Sequence, residues 1–378
     1  MYLVTSLDLG GAEQQVRLLA REFSQRGWHV EIVSMVAPDR PEPMLDERGI
    51  EVSSLGMRRG LPDPRGLGRF LQLVRRRRPH IIHAQMVHAN LLASVSHLFA
   101  RDPVIVTSAR SLNEGSVWRY AAYRLTNRLP DVISAVSQSV ADELVRRRAV
   151  EPGRVVVVPS GIDAAEHRRD RRARAKVRRE LALENRFVWL AAGRLVPAKA
   201  YDRLIEAYAE VRRDRPESVL LIAGDGPLES VLRSVVTERQ LLPSIQLLGR
   251  RDDVPALMSA ADAYVMSSDW EGLPMALLEA ASGSLPMVAT NVAGNSEIVV
   301  DGETGFLVPA GDPMALARGM MRVMRMTDAE RSAVGEAART HVAARFHLAR
   351  VVDRWQAIYE AELGRRGTQR SSTGRQQT

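Results

Sequence analysis

The chain contains no cysteine, so disulfide bridges and cysteine-based metal sites are excluded, while the redox compartment stays open. Aromatic residues make up only 5% of the sequence. No zinc-finger, RNP or interleaved basic–aromatic pattern occurs, which argues against a nucleic-acid partner. No apolar run approaches the ~18–20 residues of a membrane span. The opening "MYLVTSLDLGGAEQQ" has no basic segment followed by a long apolar stretch, so it does not read as a signal peptide. The expected location is cytoplasmic.

What is present is ordinary globular composition at a length that calls for two domains. The chain has 378 residues, 45% hydrophobic and 26% charged. Its net charge is +8, carried mostly by arginine. Clusters stand at 75–78 ("RRRR"), 146–148 ("RRR") and 167–180 ("HRRDRRARAKVRRE"). Solvated helix faces are one reading of them and attraction to an anionic membrane surface is another.

Short apolar runs alternate with amphipathic stretches along almost the whole chain. "YLVTSL" precedes a stretch in which Ala12, Val16, Leu19, Ala20 and Phe23 recur at helical spacing, and "HVEIVSMV" follows. "HIIHA", "PVIVTSA" and "DVISAVS" continue the series. Strands followed by helices predict parallel sheets with crossovers. At "RVVVVPSGID", 154–163, a strand runs into a turn and then into the arginine-rich stretch, which marks a domain boundary. A second series begins at "FVWLAAGRL" and continues through "SVLLIAGDG", "IQLLG", "AYVMSS", "LPMVATN" and "TGFLVPA". The expected fold is α/β with two doubly wound Rossmann-like domains, 1–160 and 161–345. A further helix follows over 346–365, with Val351, Trp355, Ile358, Tyr359 and Leu363 on one side, and then a polar, disordered tail over 366–378. Such sheets bind ligands at the carboxyl ends of their strands. A cleft between two facing domains is therefore the expected site.

Three strand ends carry chemistry. Gly10 and Gly11 turn the chain into a helix, where close backbone approach and the helix N-terminus suit a phosphate. Gly193, Arg194 and Lys199 lie on a short loop ahead of a helix. Two cations there oppose the helix dipole unless an anion is present, and a planar fork beside a mobile point charge suits a diphosphate. In "DWEGLPMALLEA", Pro274 fits a first helical turn, leaving free amides near Leu273, Met275 and Ala276, with Gly272 a further donor-binding candidate. Glu271 in that loop and Glu279 in the helix could each accept hydrogen bonds from vicinal hydroxyls, one on each sugar of a nucleotide-sugar. Glu279 sits in an apolar stretch, where a carboxylate without a partner is costly.

The ordered set Gly10-Gly11-Ala12-Glu13, Gly193-Arg194, Lys199, "AGDGP", Glu271-x7-Glu279 and "DGETGFLV" resembles family 4 of the retaining glycosyltransferases, with the GT-B fold, over residues 3–363. The resemblance implies a C-terminal domain that holds a UDP- or GDP-sugar and an N-terminal domain for a glycan or lipid-linked acceptor. It implies Arg194 and Lys199 at the diphosphate, Glu271 at the donor sugar, Glu279 at the ribose, and Gly11 and its neighbours facing the donor phosphate. It also implies front-face attack with retention, without metal or cofactor, and a last helix returning to the N-terminal domain. The chain departs from the family pattern in places. His83-Ala84-Gln85 stands where His-x-His is common, which makes His88 a candidate substitute. Arg110 stands where a histidine is frequent, Pro159-Ser160-Gly161 where Pro-Asn-Gly is usual, and Ala293 where a Gly-Gly pair is usual. The expected activity is transfer of a hexose or hexosamine in cell-surface polysaccharide or glycolipid synthesis, with contact to the inner membrane leaflet. A nucleotide-sugar epimerase of the same fold, and a non-catalytic nucleotide-sugar-binding subunit, are the alternatives. Base contacts are expected from the 247–255 loop and acceptor contacts from loops 57–69 and 111–120.

Overall fold

The computed structural model describes residues 1–7, 10–37, 49–58, 63–112 and 117–374, with the backbone alone for 369–374. Asp8 and Leu9, and parts of the two expected acceptor loops (59–62 and 113–116), lie outside the described residues. The chain divides into two compact units. Unit 1 comprises Met1–Gly161 together with the chain from Leu348 onward, and unit 2 comprises Ile162–His347.

Unit 1 runs β1 (Tyr2–Val4), α1 (Gly11–Gln25), β2 (Glu31–Val36), β3 (Glu51–Met57), α2 (Pro64–Arg77), β4 (Ile81–Gln85), α3 (Val87–Ser96), β5 (Val104–Ala109), α4 (Val117–Thr126), β6 (Val132–Ala135), α5 (Gln138–Arg146) and β7 (Val155–Val157). Unit 2 runs α6 (Arg171–Glu180), β8 (Phe187–Ala192), α7 (Tyr201–Asp214), β9 (Ser218–Ala223), α8 (Glu229–Glu238), β10 (Ile245–Gly249), α9 (Val254–Ala260), β11 (Ala263–Met266), α10 (Met275–Ser282), β12 (Met287–Thr290), α11 (Ala293–Ser296), β13 (Phe306–Val308), α12 (Pro313–Arg325) and α13 (Asp328–Arg345). The last helix, α14 (Leu348–Gly374), belongs to unit 1.

Both sheets are parallel throughout. Unit 1 has the order β3-β2-β1-β4-β5-β6-β7 and unit 2 the order β10-β9-β8-β11-β12-β13. Helices cover both faces, so central strands are buried on both sides and carry little polar alternation. Every residue of β9, "SVLLIA", is buried. Helix α7 shows the complementary pattern: Tyr201, Leu204, Ile205, Tyr208 and Val211 recur at helical spacing and are buried with Trp189 and Leu220 in one cluster. Local signals fix other ends, among them the Thr327–Glu330 capping box of α13.

Three features differ from the sequence expectations. Strand β3, "EVSSLGM", is a half-buried edge strand whose serines hide the apolar alternation. The arginines of 167–180 are not all solvated: Arg174 Nη1 donates to the carbonyls of Ser259, Ala260 and Ala261, and Arg178 Nη1 to that of Ala260. Both also pair with Asp262. They close the carboxyl end of α9, whose last carbonyls would otherwise lack partners. The chain beyond 365, expected to be disordered, is helical to Gly374, with 375–378 outside the described residues. Arg366 anchors the start of the extension: it forks onto Asp131 at 2.7 and 2.8 Å and donates to the Asp102 carbonyl at 2.8 Å.

Candidate active site

In unit 2 the strand order reverses between β8 and β11. The loops leaving those two strands therefore flank the place where a doubly wound sheet takes its ligand. The first loop is set by backbone packing. Gly193 N donates to the Ala223 carbonyl at 2.9 Å, Leu195 N to the Asp225 carbonyl at 2.7 Å, and Gly224 N to the Gly249 carbonyl at 2.8 Å. Gly224 has φ +148°, and a Cβ there would collide with the Gly193 carbonyl, so the "AGDG" glycine is what lets the two loops stack. A single 3-10 turn, Pro197–Lys199, then leads into α7.

That turn brings Lys199 to Glu271. Lys199 Nζ lies 2.5 Å from Glu271 Oε1, and Ser268 Oγ donates to the same oxygen at 2.6 Å. The pair is largely shielded, with side-chain exposures of 19% and 12%, so its attraction is screened less than a surface pair's. Backbone bonds hold the loops in register: Ser267 Oγ donates to the Lys199 carbonyl at 2.7 Å, and Asp269 N to that of Ala198 at 2.8 Å. Arg203 pairs with Asp269. Behind the loops, Tyr264 is buried and donates to the Ala192 carbonyl at 3.1 Å. Burial pushes its phenol far above the usual range, with Tyr201 second. Arg194 is exposed and has no ion-pair partner among the described residues.

Past Glu271 the chain turns through Gly272 and Leu273 into α10, whose N-terminus no side chain caps. Its leading amides and positive dipole end are therefore open to an anion. Glu279 is buried one turn further along, about 6 Å by helical rise from Met275. Gly294 fixes the loop from below: a Cβ there would run into the carbonyls of Glu271 and Gly272. Ala293, noted for replacing a glycine, is accommodated, and the glycine that matters is its neighbour. Glu297 ends that short helix.

The expected site residues thus fall into two groups. Gly193, Arg194, Lys199, Glu271, Gly272, Leu273 and Glu279 lie on adjoining segments of unit 2. Gly10, Gly11 and His88 lie in unit 1, whose own strand order reverses between β1 and β4. Gly10 precedes α1 and Gly11 begins it. His88 sits in the first turn of α3, where partial burial and then the Arg119 charge lower its pKa.

His83 is a structural residue. Nδ1 lies 2.5 Å from the Tyr359 hydroxyl and Nε2 2.7 Å from Ser108 Oγ. Burial, followed by Arg110, drops its pKa to about 3. Ser267, Ser268 and Gly294 were missed in the sequence. The serines had one signal, their position at the end of β11 just before "DWEG". Among the described residues no three His, Asp or Glu side chains form a metal-ligand group.

Two family models match successive parts of the chain. "Glycosyltransferase Family 4" covers 9–166 and "Glycosyl transferases group 1" covers 173–341. The chain belongs to glycosyltransferase family 4. This family 4 glycosyltransferase is 27% identical over 314 residues to the Escherichia coli UDP-Gal:alpha-D-GlcNAc-diphosphoundecaprenol alpha-1,3-galactosyltransferase, covering 79% of this chain and 80% of the relative. It is 25% identical over 286 residues to the Bacillus anthracis N-acetyl-alpha-D-glucosaminyl L-malate synthase, covering 74% and 72%. Its fold matches that of Anabaena HepE, solved with UDP and glucose, at a TM-score of 0.83 and 21% identity over 96% of this chain and 100% of that one. The fold of the family 4 glycosyltransferase is GT-B.

Proposed function

We propose that the enzyme moves a hexose or hexosamine from a UDP- or GDP-sugar to a glycan or lipid-linked acceptor, with retention at the anomeric carbon and no bound metal or cofactor. The observation that carries this reading is the Lys199–Glu271–Ser268 cluster at the strand reversal of unit 2, next to an uncapped helix N-terminus. Glu271 holds the lysine ammonium where a diphosphate would arrive. Arg194, exposed and without an acid partner among the described residues, supplies the second cation. As the bond from the anomeric carbon to the phosphate oxygen breaks, negative charge grows on the leaving diphosphate. Lys199, Arg194 and the Gly272–Met275 backbone offset it. The acceptor oxygen forms the new bond on the same face and gives its proton to the departing phosphate. Glu279 takes the ribose hydroxyls and Glu271 the donor sugar. Gly10, Gly11 and His88 belong to the same reaction from unit 1.

Two relatives support the donor and acceptor classes. The E. coli protein is named for UDP-galactose and a diphosphoundecaprenol acceptor, and the Anabaena fold neighbour was solved with UDP and glucose. The proposed site of action is the cytoplasmic face of the membrane. No helix among the described residues is long and apolar enough to cross a membrane. Contact with an anionic leaflet would fall on α4, which exposes Trp118 (78%) and Leu125 (84%) beside Arg119 and Arg124. Sedimentation with anionic vesicles at low salt tests this contact, and loss of binding in a Trp118→Ala, Leu125→Ala variant is the expected result. The activity is tested by incubating UDP- and GDP-sugars with candidate acceptors and resolving the anomeric configuration of the product. Release of UDP or GDP that depends on acceptor and on Lys199 is expected. An inverted product would end the retaining part of the proposal.

A further inference from the structure

Unit 1 holds a second polar centre that the donor site does not use. At the carboxyl ends of β4 and β5 a cavity of about 10 Å³ is walled by Gln15, Gln85, Ser108, Arg110, Ser134 and Trp355. The serines are satisfied: their hydroxyls lie 2.6 Å apart, and Ser108 also meets His83. The other polar groups are not. Gln15 accepts from Gly161 N at 2.9 Å through Oε1, but its Nε2 is buried without a partner. Gln85 is 1% exposed, and its Oε1 is buried without a partner.

Arg110 is the charged member. It donates to Ser160 Oγ at 2.7 Å, and no carboxylate lies within 4.0 Å of it among the described residues. Burial lowers its pKa to about 10, with Glu13 partly offsetting, so the guanidinium stays charged at neutral pH. A guanidinium has five N–H donors, and half-buried Arg110 has Ser160 as its one hydrogen-bond partner among the described residues, so most of its donors are left for a ligand or solvent. Arg174 and Arg178 show what a structural arginine looks like in this protein: carbonyls and Asp262 share their donors. Arg110 has no such set. The cavity takes one oxygen atom rather than a whole phosphate. A ligand would therefore place one oxyanion oxygen inside and keep its body outside.

We infer that this pocket receives one oxygen of a phosphate or carboxylate carried by the acceptor, held by Arg110 and the Gln15 amide. The inference rests on the reading that unit 1 serves the acceptor. The Gln85 amide, turned over, offers a third donor.

The test measures inorganic phosphate and acetate binding by calorimetry at constant ionic strength. It uses the full chain with Arg194→Ala, which removes the exposed cation of the donor site. Saturable binding of at least one of the two anions is expected, and which one binds names the acceptor's anionic group. Adding Arg110→Gln should weaken that binding at least about tenfold, and Arg110→Lys by a few-fold, since lysine keeps the charge but loses the fork. Gln85→Glu guards against a misfolded Arg110 variant. It gives Arg110 an internal carboxylate and should abolish anion binding while the protein stays folded. No saturable binding in the parent, or unchanged affinity in both the Arg110→Gln and Gln85→Glu proteins, would overturn the inference. Failure of the donor reading shows separately, as phosphate binding that Arg194→Ala leaves untouched in the wild-type background.

Discussion

The two sheets solve the same geometric problem with different chemistry. At the strand reversal of unit 2, charge is concentrated and paired: Lys199 meets Glu271, and Arg203 meets Asp269. At the corresponding end of unit 1 the buried groups are mostly neutral, a chain of three hydroxyls and an uncharged imidazole running Tyr359–His83–Ser108–Ser134. A paired ionic cluster can pass its cation to an incoming anion provided the displaced carboxylate finds other donors, as Glu271 has in Ser268. A neutral network surrenders hydrogen bonds when opened and gains nothing in return, so it positions rather than reacts. On the proposed reading, the donor's leaving group is stabilised in unit 2 and the acceptor is placed by unit 1.

The strongest way to break that assignment is Lys199→Ala. It removes the charge proposed to face the diphosphate and leaves Glu271 with Ser268 as its side-chain partner among the described residues. Turnover should fall about 100- to 1,000-fold, read as the initial rate of nucleotide release. Retained turnover would move the chemistry elsewhere. Trp355→Ala probes the opposite kind of role. Trp355 is 4% exposed and packs its ring 4.4 Å from that of His83. Its removal should cost about 3–5 kcal/mol of stability in a denaturant melt, while the folded fraction keeps its nucleotide affinity.

Gly294→Ala should be intermediate. The added methyl must displace the Glu271–Gly272 backbone, so about 1–3 kcal/mol of strain is expected together with weaker donor binding. Wild-type KM in that variant would mean the loop is not part of the site. The smallest effect is one of pH. His83 takes up its proton at 6.5 when unfolded but only at about 3 in folded unit 1. Between those values the unfolded chain binds more protons, so stability is complete above the upper value and declines as pH falls toward the lower one. His83→Gln should flatten the dependence measured between about pH 5 and about pH 7. A slope identical to wild type would show that His83 is not the group responsible.

The same contrast explains what could be read in advance. Unit 2's candidate residues are charged; Arg194, Lys199 and Glu271 follow strand ends and Glu279 interrupts an apolar helix, so all four stood out. Their assembly did not, because the Lys199–Glu271 contact spans 72 positions and depends on which strands are neighbours. Gly294 was invisible for a related reason: its importance comes from a backbone carbonyl on another loop. In unit 1 the role of His83 was not legible. His83 occupies a motif position yet is consumed by Tyr359, whose side of the last helix was expected to be apolar but whose contact with His83, 276 positions away, no local pattern reveals. Strand β3 went unread because an edge strand needs only one apolar face. The arginines of α6 looked like surface charge, since nothing in "RRARAKVRRE" announces the α9 carbonyls they satisfy.

The central claim is that the Lys199–Glu271 corner of unit 2 holds the donor's diphosphate. The direct measurement is equilibrium binding of UDP, GDP and their sugars to wild type and to the Arg194→Ala, Lys199→Ala and Glu279→Ala proteins, each checked for an unchanged melting profile. We expect one nucleotide family to bind wild type and each substitution to weaken it at least about tenfold. Nucleotide affinity unchanged by all three substitutions would contradict the claim.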